Sequence, residues 1–336
     1  MLYLTSKKNI FYIYCDYIIL LGNILMTNIK NAIEITNITK HFKSGSSYNK
    51  KALKGFDLNI PRGCIFGLLG PNGAGKSTLI NILYGLTIKT SGTVKIWGID
   101  IDDDHRNAKN AIGIVPQEFV IDPFFDPMEL LELHAGLYGI KKQNRKTEEI
   151  LKSVGLWEQR HAYPRQMSGG MKRRLLIAKA MVHQPPILVL DEPTAGVDIE
   201  LRKQLWDNIR QLNKMGTTVI LTTHYLEEAQ ELCDYIAVIN KGNLIKTGNV
   251  KELLKNADKK TITVNLDKTF DTKHIPNYTD LISVENNIIE LSFKPTKTNI
   301  GNVLTELNNS NYNIQDISTQ ETKLEDLFLQ LTMDKK

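Results

Sequence analysis

Cysteine is scarce in this chain: Cys15, Cys64 and Cys233 stand far apart in 336 residues, without the paired spacing of a zinc or redox site. That excludes a disulfide-stapled fold, and the three are read as reduced thiols, Cys64 and Cys233 within strand or helix cores. A single block of basic charge is missing too, since 42 Lys and Arg against 37 Asp and Glu leave a mild net +5 spread along the chain. A balance this mild suits an anionic membrane surface as well as weak nucleic-acid contact, and decides neither. After residue 25 there is no apolar run with the length of a membrane helix. Residues 10–25 are almost wholly apolar and follow Lys7 and Lys8, but the run is short for a span, carries Asp16 in its middle and lacks a small-residue cleavage site. Met26 then precedes a polar segment. Residues 1–25 therefore read as an upstream extension outside the fold, with a membrane-surface anchor as the other reading.

What is present begins with a 42% hydrophobic content, enough for one large core and a smaller one. The chain is organised around residues 64–78, an apolar strand run, a glycine-rich turn and a helix start. Gly70-Pro71-Asn72-Gly73-Ala74-Gly75-Lys76-Ser77-Thr78 has the P-loop spacing, a cradle for phosphate. Glycines at 70, 73 and 75 permit backbone torsions that turn successive N–H groups onto an anion. Lys76 brings a mobile charge to the β- and γ-phosphates, the Ser77 hydroxyl is a ligand for Mg2+, and the helix dipole points at the same place.

Downstream, further strands end in polar side chains. Ile112-Gly-Ile-Val-Pro-Gln117 closes on a glutamine able to reach Mg2+ or an attacking water. Asp126 and Pro127 have the form of a helix start, and helical pattern follows through Gly139 and again over 145–155. Ser168-Gly169-Gly170 then caps a strongly helical run with free N–H groups suited to an anion. Ile187-Leu-Val-Leu-Asp191-Glu192 is a buried-strand run closing on two carboxylates, the first placed to hold Mg2+ through water and the second to take a proton from the attacking water. Thr217 to Thr223 is another apolar strand, ending in His224 as a γ-phosphate contact. Ends carrying Gly70, Gln117, Asp191 and His224 are expected on one edge of a parallel sheet, where ligands of such folds bind. The segment 43–51, rich in Ser, Gly, Asn and Lys, is expected to be a loose loop.

With these pieces in this order, residues 32–250 resemble the ATP-binding subunit of ATP-binding-cassette transporters. The segments Met167 to Arg174 and Leu190 to Asp198 look most like the exporter branch in which a separate permease chain pairs with a stand-alone ATPase. Met171 stands where the family's signature usually has glutamine, and Val197 where other branches carry leucine. The resemblance implies an α/β fold: a P-loop NTPase core of parallel sheet with an antiparallel β subdomain and a helical insertion, plus a small C-terminal α/β domain. It implies ATP and Mg2+ as cofactors, with Lys76 and Ser77 on phosphate and Mg2+, Asp191 on Mg2+ and Glu192 as general base. Gln117 and His224 fall to the γ-phosphate and water, and Phe42 to stacking on adenine. Ser168, Gly169 and Gly170 would close over the nucleotide of an opposing copy, so a head-to-tail homodimer is expected.

The domain reading is a nucleotide-binding domain at 32–257, with a helical subdomain at about 118–165, and an accessory domain at 258–336 without identifiable chemistry. The expected function is ATP-driven dimerisation and hydrolysis-driven reopening that power a polytopic membrane permease, from the cytoplasmic face of the membrane. Nucleic acid is not an expected partner. Two alternatives stay open: a soluble cassette ATPase acting on nucleic acid or ribosomes, and a non-transport regulatory ATPase. Against the first, no long coiled coil separates the P-loop from Ser168, and one cassette is present rather than two.

Overall fold

The computed structural model describes residues 30–44, 48–118, 121–256, 260–321, 324–325 and 327–328. The apolar start at 10–25, Cys15 and most of the helix expected from 322 lie outside them.

Three strands of mainly apolar sequence form the centre. β3 (Ile65–Leu69), β7 (Ile187–Asp191) and β8 (Thr218–Thr223) are buried along almost their whole length, as parallel strands covered on both faces must be. With β6 (Ile112–Val115), β9 (Tyr235–Asn240) and β10 (Asn243–Asn249) they build a sheet of order β10-β9-β3-β8-β7-β6 among the described residues. β3, β8, β7 and β6 are parallel neighbours in that sequence. Cys64 and Cys233 are both buried, as expected.

Before it comes an antiparallel sheet of order β2-β1-β4-β5, from β1 (Asn31–Ser44), β2 (Tyr48–Pro61), β4 (Ser91–Ile96) and β5 (Ile99–Asp100). Here the expected loose loop at 43–51 is corrected. β1 runs to Ser44 and β2 starts at Tyr48, with Phe42 paired to Lys50. The strands there are held by backbone pairing at a solvated edge, which needs no apolar alternation and so leaves no periodic trace in the sequence.

The helices follow their caps. α1 (Lys76–Leu83) leaves the P-loop from Gly75, and α2 (His105–Asn110) starts at Asp104. In α3 (Pro127–Leu137) the Asp126 carboxylate accepts the Glu129 N–H at 2.8 Å while the Glu129 carboxylate accepts the Asp126 N–H at 3.1 Å, a reciprocal cap. Arg145, two residues before α4 (Thr147–Ser153), is tied to Glu132 of α3 by an ion pair at 2.7 Å. α5 (Gly169–Met181) is capped by Ser168, whose hydroxyl accepts the Met171 N–H at 3.2 Å. α6 (Ile199–Lys214) buries Leu205, Trp206, Ile209 and Leu212, a stripe of helical period.

The chain divides into two compact units. One combines the residues up to His224 with Ala237–Ile245; the other combines Tyr225–Ile236 with the residues from Lys246 onward. The second contains α7 (Leu226–Leu232), α8 (Val250–Asn256) and an antiparallel sheet of order β12-β13-β11-β14. Its strands are β11 (Lys260–Leu266), β12 (Thr279–Glu285), β13 (Ile288–Phe293) and β14 (Ile314–Glu321). Helix α9 (Ile300–Asn309) sets Val303 and Leu307 in a core with Ile262, Val264, Leu266, Ile289 and Leu291. Leu324 is buried and donates its N–H to the Gln230 side chain at 2.9 Å, which ties the end of the chain to α7.

Candidate functional site

The strand order decides what the site contains. Because β3, β8, β7 and β6 are parallel and adjacent, the residues at or just past their C-terminal ends share one edge: Gly70, His224, Asp191 with Glu192, and Gln117. Gln117 lies two residues beyond the end of β6 rather than within the strand.

The loop after β3 needs its glycines. A Cβ at Gly70 would stand 2.2 Å from the Ile239 carbonyl oxygen, and one at Gly75, where φ is +116°, would stand 2.8 Å from that of Ala52. The Lys76 ammonium sits over this loop, donating to the carbonyls of Gly70 at 2.6 Å and Pro71 at 3.3 Å. Its burial lowers its pKa, while Glu192 and Asp191 pull in the other direction. A cleft of about 370 Å³ opens on Asn72, Gly73, Ala74, Gly75, Lys76, Ser77 and Thr78. Phe42, Gln117 and Glu192 line it as well. Phe42 is 39% exposed, with the Lys40 ammonium 4.7 Å from its ring centroid.

Glu192 is the meeting point. The Gln117 Nε2 donates to its Oε2 at 3.1 Å, and His224 Nδ1 lies 3.4 Å from its Oε1. Its backbone is left-handed, with φ +46°, a conformation that costs a residue with a Cβ about 1–2 kcal/mol. Two side chains hold it there: the Thr222 hydroxyl accepts its N–H at 2.9 Å, and the Arg173 guanidinium donates to its carbonyl at 3.5 Å. Thr222 also donates to Asp191 Oδ1 at 2.5 Å, and Arg173, 1% exposed, donates to the Pro116 carbonyl at 2.9 Å. Burial lowers the Arg173 pKa, opposed by the nearby Asp191.

Neither Thr222 nor Arg173 emerges from motif spacing. Their only trace in the sequence is a hydroxyl within an apolar strand and one arginine among three consecutive basic residues, Lys172 to Arg174. Asp191 borders a second cavity, of about 380 Å³, together with Tyr84, His134, Tyr138, Lys179 and His183. Ser168 and Gly169 are exposed and Gly170 is buried, where a Cβ would meet the Leu201 side chain at 2.2 Å. These three are not among the residues lining the P-loop cleft.

Chemically, the edge offers a glycine loop, the Lys76 cation and a Glu192 carboxylate met by Gln117 and His224. The oxygen donors of Ser77, Asp191 and the Gln117 amide, whose nitrogen is engaged by Glu192, suit a hard divalent cation such as Mg2+.

Comparison with known proteins points the same way. The family model described as ABC transporter matches residues 53–195. The linearmycin resistance ATP-binding protein of Bacillus subtilis is 36% identical over 296 residues, spanning 85% of this chain and 95% of that protein. The Nod factor export ATP-binding protein I of Cupriavidus pinatubonensis is 38% identical over 200 residues, 59% of this chain and 62% of that protein. Among solved structures, a dimeric ATP-binding cassette in a post-hydrolysis state, bound to ADP and Pi, superposes with a TM-score of 0.57 at 30% identity, covering 65% of this chain and 98% of that one.

Proposed function

Since this chain belongs to the ABC transporter family, as an ATP-binding subunit that hydrolyses ATP to power export, we propose that the P-loop cleft is its ATP site and Glu192 its general base. The observation that carries the assignment is the Glu192 carboxylate at the cleft wall, receiving Gln117 and facing His224. In this reading the Lys76 ammonium and the loop N–H groups bind the β- and γ-phosphates, and Phe42 stacks on adenine. Glu192 takes the proton of the attacking water, oriented by Gln117 and His224, which also meet the γ-phosphate. Ser77, Gln117 and Asp191 would hold Mg2+, which when bound neutralises charge on the phosphates.

Ser168, Gly169 and Gly170 are assigned to the nucleotide of an opposing copy, which makes the working unit a homodimer with two ATP between its subunits. The capped start of α5, with Ser168 and Gly169 exposed, supports this, as does the dimeric state of the related cassette. ATP binding closes the pair and hydrolysis reopens it. The partner that receives the motion is a polytopic permease, docked on the helical insertion from the cytoplasmic face of the membrane. Phe124, Leu133, Leu137, Tyr138 and Tyr163 are exposed apolar side chains on that insertion, a surface suited to a partner. Among the described residues no helix is long and apolar enough to cross a membrane. Resemblance to transporter subunits favours this reading over an ATPase acting on nucleic acid or ribosomes, or a regulator without transport.

Glu192→Gln tests the assignment. Turnover should fall by about 10²- to 10⁴-fold, the usual contribution of a general base, and ATP should convert the variant to a stable dimer in size-exclusion chromatography with light scattering. Unchanged turnover removes Glu192 from its role, and a variant that stays monomeric with ATP removes the paired mechanism.

A further inference from the structure

We propose that Thr222 is a positioning residue for hydrolysis: one buried hydroxyl that orients the Asp191 carboxylate and fixes the backbone of Glu192. The inference rests on the roles proposed above for those two acids.

Its basis is register. In the parallel pairing of β7 with β8, Asp191 stands opposite Thr222, so the threonine lies beside the last residue of β7. Thr222 is fully buried. Its Oγ1 is 2.5 Å from Asp191 Oδ1 and 2.9 Å from the Glu192 nitrogen. The direction of both bonds follows from the groups involved. An ionised carboxylate only accepts and a backbone N–H only donates, so the single hydroxyl hydrogen goes to Asp191 and an oxygen lone pair takes the Glu192 N–H. Each bond polarises the hydroxyl in the sense that strengthens the other.

The consequence is mechanical. One carboxylate oxygen of Asp191 is committed, which fixes rotation of the group and defines where its other oxygen stands. The same hydroxyl holds the N–H side of a left-handed Glu192 whose carbonyl side is held by Arg173. The threonine itself is stiff, because its β-branched side chain has restricted χ1 freedom, and burial denies water the chance to substitute. A valine here keeps the shape and removes both bonds; a serine keeps both bonds and loses a methyl. Groups that orient a metal-binding carboxylate in this way typically change metal affinity or activity by about 10- to 100-fold when removed.

The test uses the full chain and Thr222→Val, Thr222→Ala and Thr222→Ser. Mn2+ binding in the presence of ADP, followed by electron paramagnetic resonance, reads the metal site without turnover; Mg2+ activation of ATP hydrolysis is measured alongside. Val and Ala should weaken Mn2+ binding by about 10- to 100-fold and raise the Mg2+ requirement, with kcat lowered and the KM for ATP at saturating Mg2+ little changed. Ser should recover most of the loss. A purely structural threonine would lower the melting temperature and leave Mn2+ binding alone, and that result overturns the inference. So does a serine variant as impaired as the alanine one, a comparison that stands even if the valine variant does not fold. An unmodified chain that fails to bind Mn2+ with ADP overturns the proposed function and this inference together, whereas normal binding lost in none of the variants overturns this inference alone.

Discussion

Lys76 combines two demands that oppose each other: it must be buried to sit over the phosphate loop, and burial lowers the pKa of its ammonium. Since the folded state then holds its proton less tightly than the unfolded state, the unfolded chain binds more protons between the lowered value and the ordinary 10.5. Stability should therefore rise with pH across that alkaline window, and Lys76→Met should remove this part of the slope in urea unfolding series. Gly70 makes the complementary case, where the constraint is space. Gly70→Ala places a methyl 2.2 Å from the Ile239 carbonyl, so a backbone shift is forced. The expected cost is about 1–3 kcal/mol in denaturant unfolding, with loss of ATP binding by calorimetry. Both residues stand out in the sequence because the P-loop spacing sets residue types at fixed offsets. Thr222 and Arg173 do not, because their partners are 31 and 57 residues away in sequence and meet them only through packing.

At the scale of elements, the helix starts carry their own signals, and Asp126 and Ser168 cap where their sequences say they should. Ser168→Ala should destabilise α5 by about 1 kcal/mol, measured by thermal unfolding. It should also weaken the ATP-driven dimer of a Glu192→Gln background, if Ser168 serves the opposing nucleotide. A second junction joins α3 to the segment after α5: the rings of Tyr138 and His183 stack at 4.0 Å with an 8° angle, and His183 Nε2 lies 3.3 Å from the Ile112 carbonyl. Burial lowers the His183 pKa, partly offset by that carbonyl, and burial with the nearby Lys179 lowers that of His134. For a histidine whose folded pKa is depressed, stability is fully present above the unfolded value of about 6.5 and is lost as pH falls through the folded one. Acidification below about pH 6.5 should thus lower the unfolding midpoint, and His183→Gln should flatten that dependence. The pairing of β1 with β2 from Phe42 to Ser44 and Tyr48 to Lys50 was illegible at this scale, since pairing at a polar edge obeys backbone geometry and not side-chain pattern.

For the whole molecule, the second compact unit depends on residues distant in sequence, because α7 belongs with the tail that follows Lys246. Leu324→Ala empties a buried position beside the bond to Gln230 and should cost that unit about 2–5 kcal/mol, visible as faster amide exchange in α7. Sequence alone supplied the local patterns: the glycine loop, the Asp191–Glu192 pair and the polar residues after apolar strands, on which the proposed phosphate and proton-transfer roles rest. The tertiary structure decided which of them meet. Strand order β3-β8-β7-β6 puts residues separated by more than a hundred positions on one edge, and the register between β7 and β8 sets one hydroxyl opposite one carboxylate. Such pairings arise from the competition of strands for hydrogen-bonded neighbours and of side chains for a shared core, and no single segment carries that outcome.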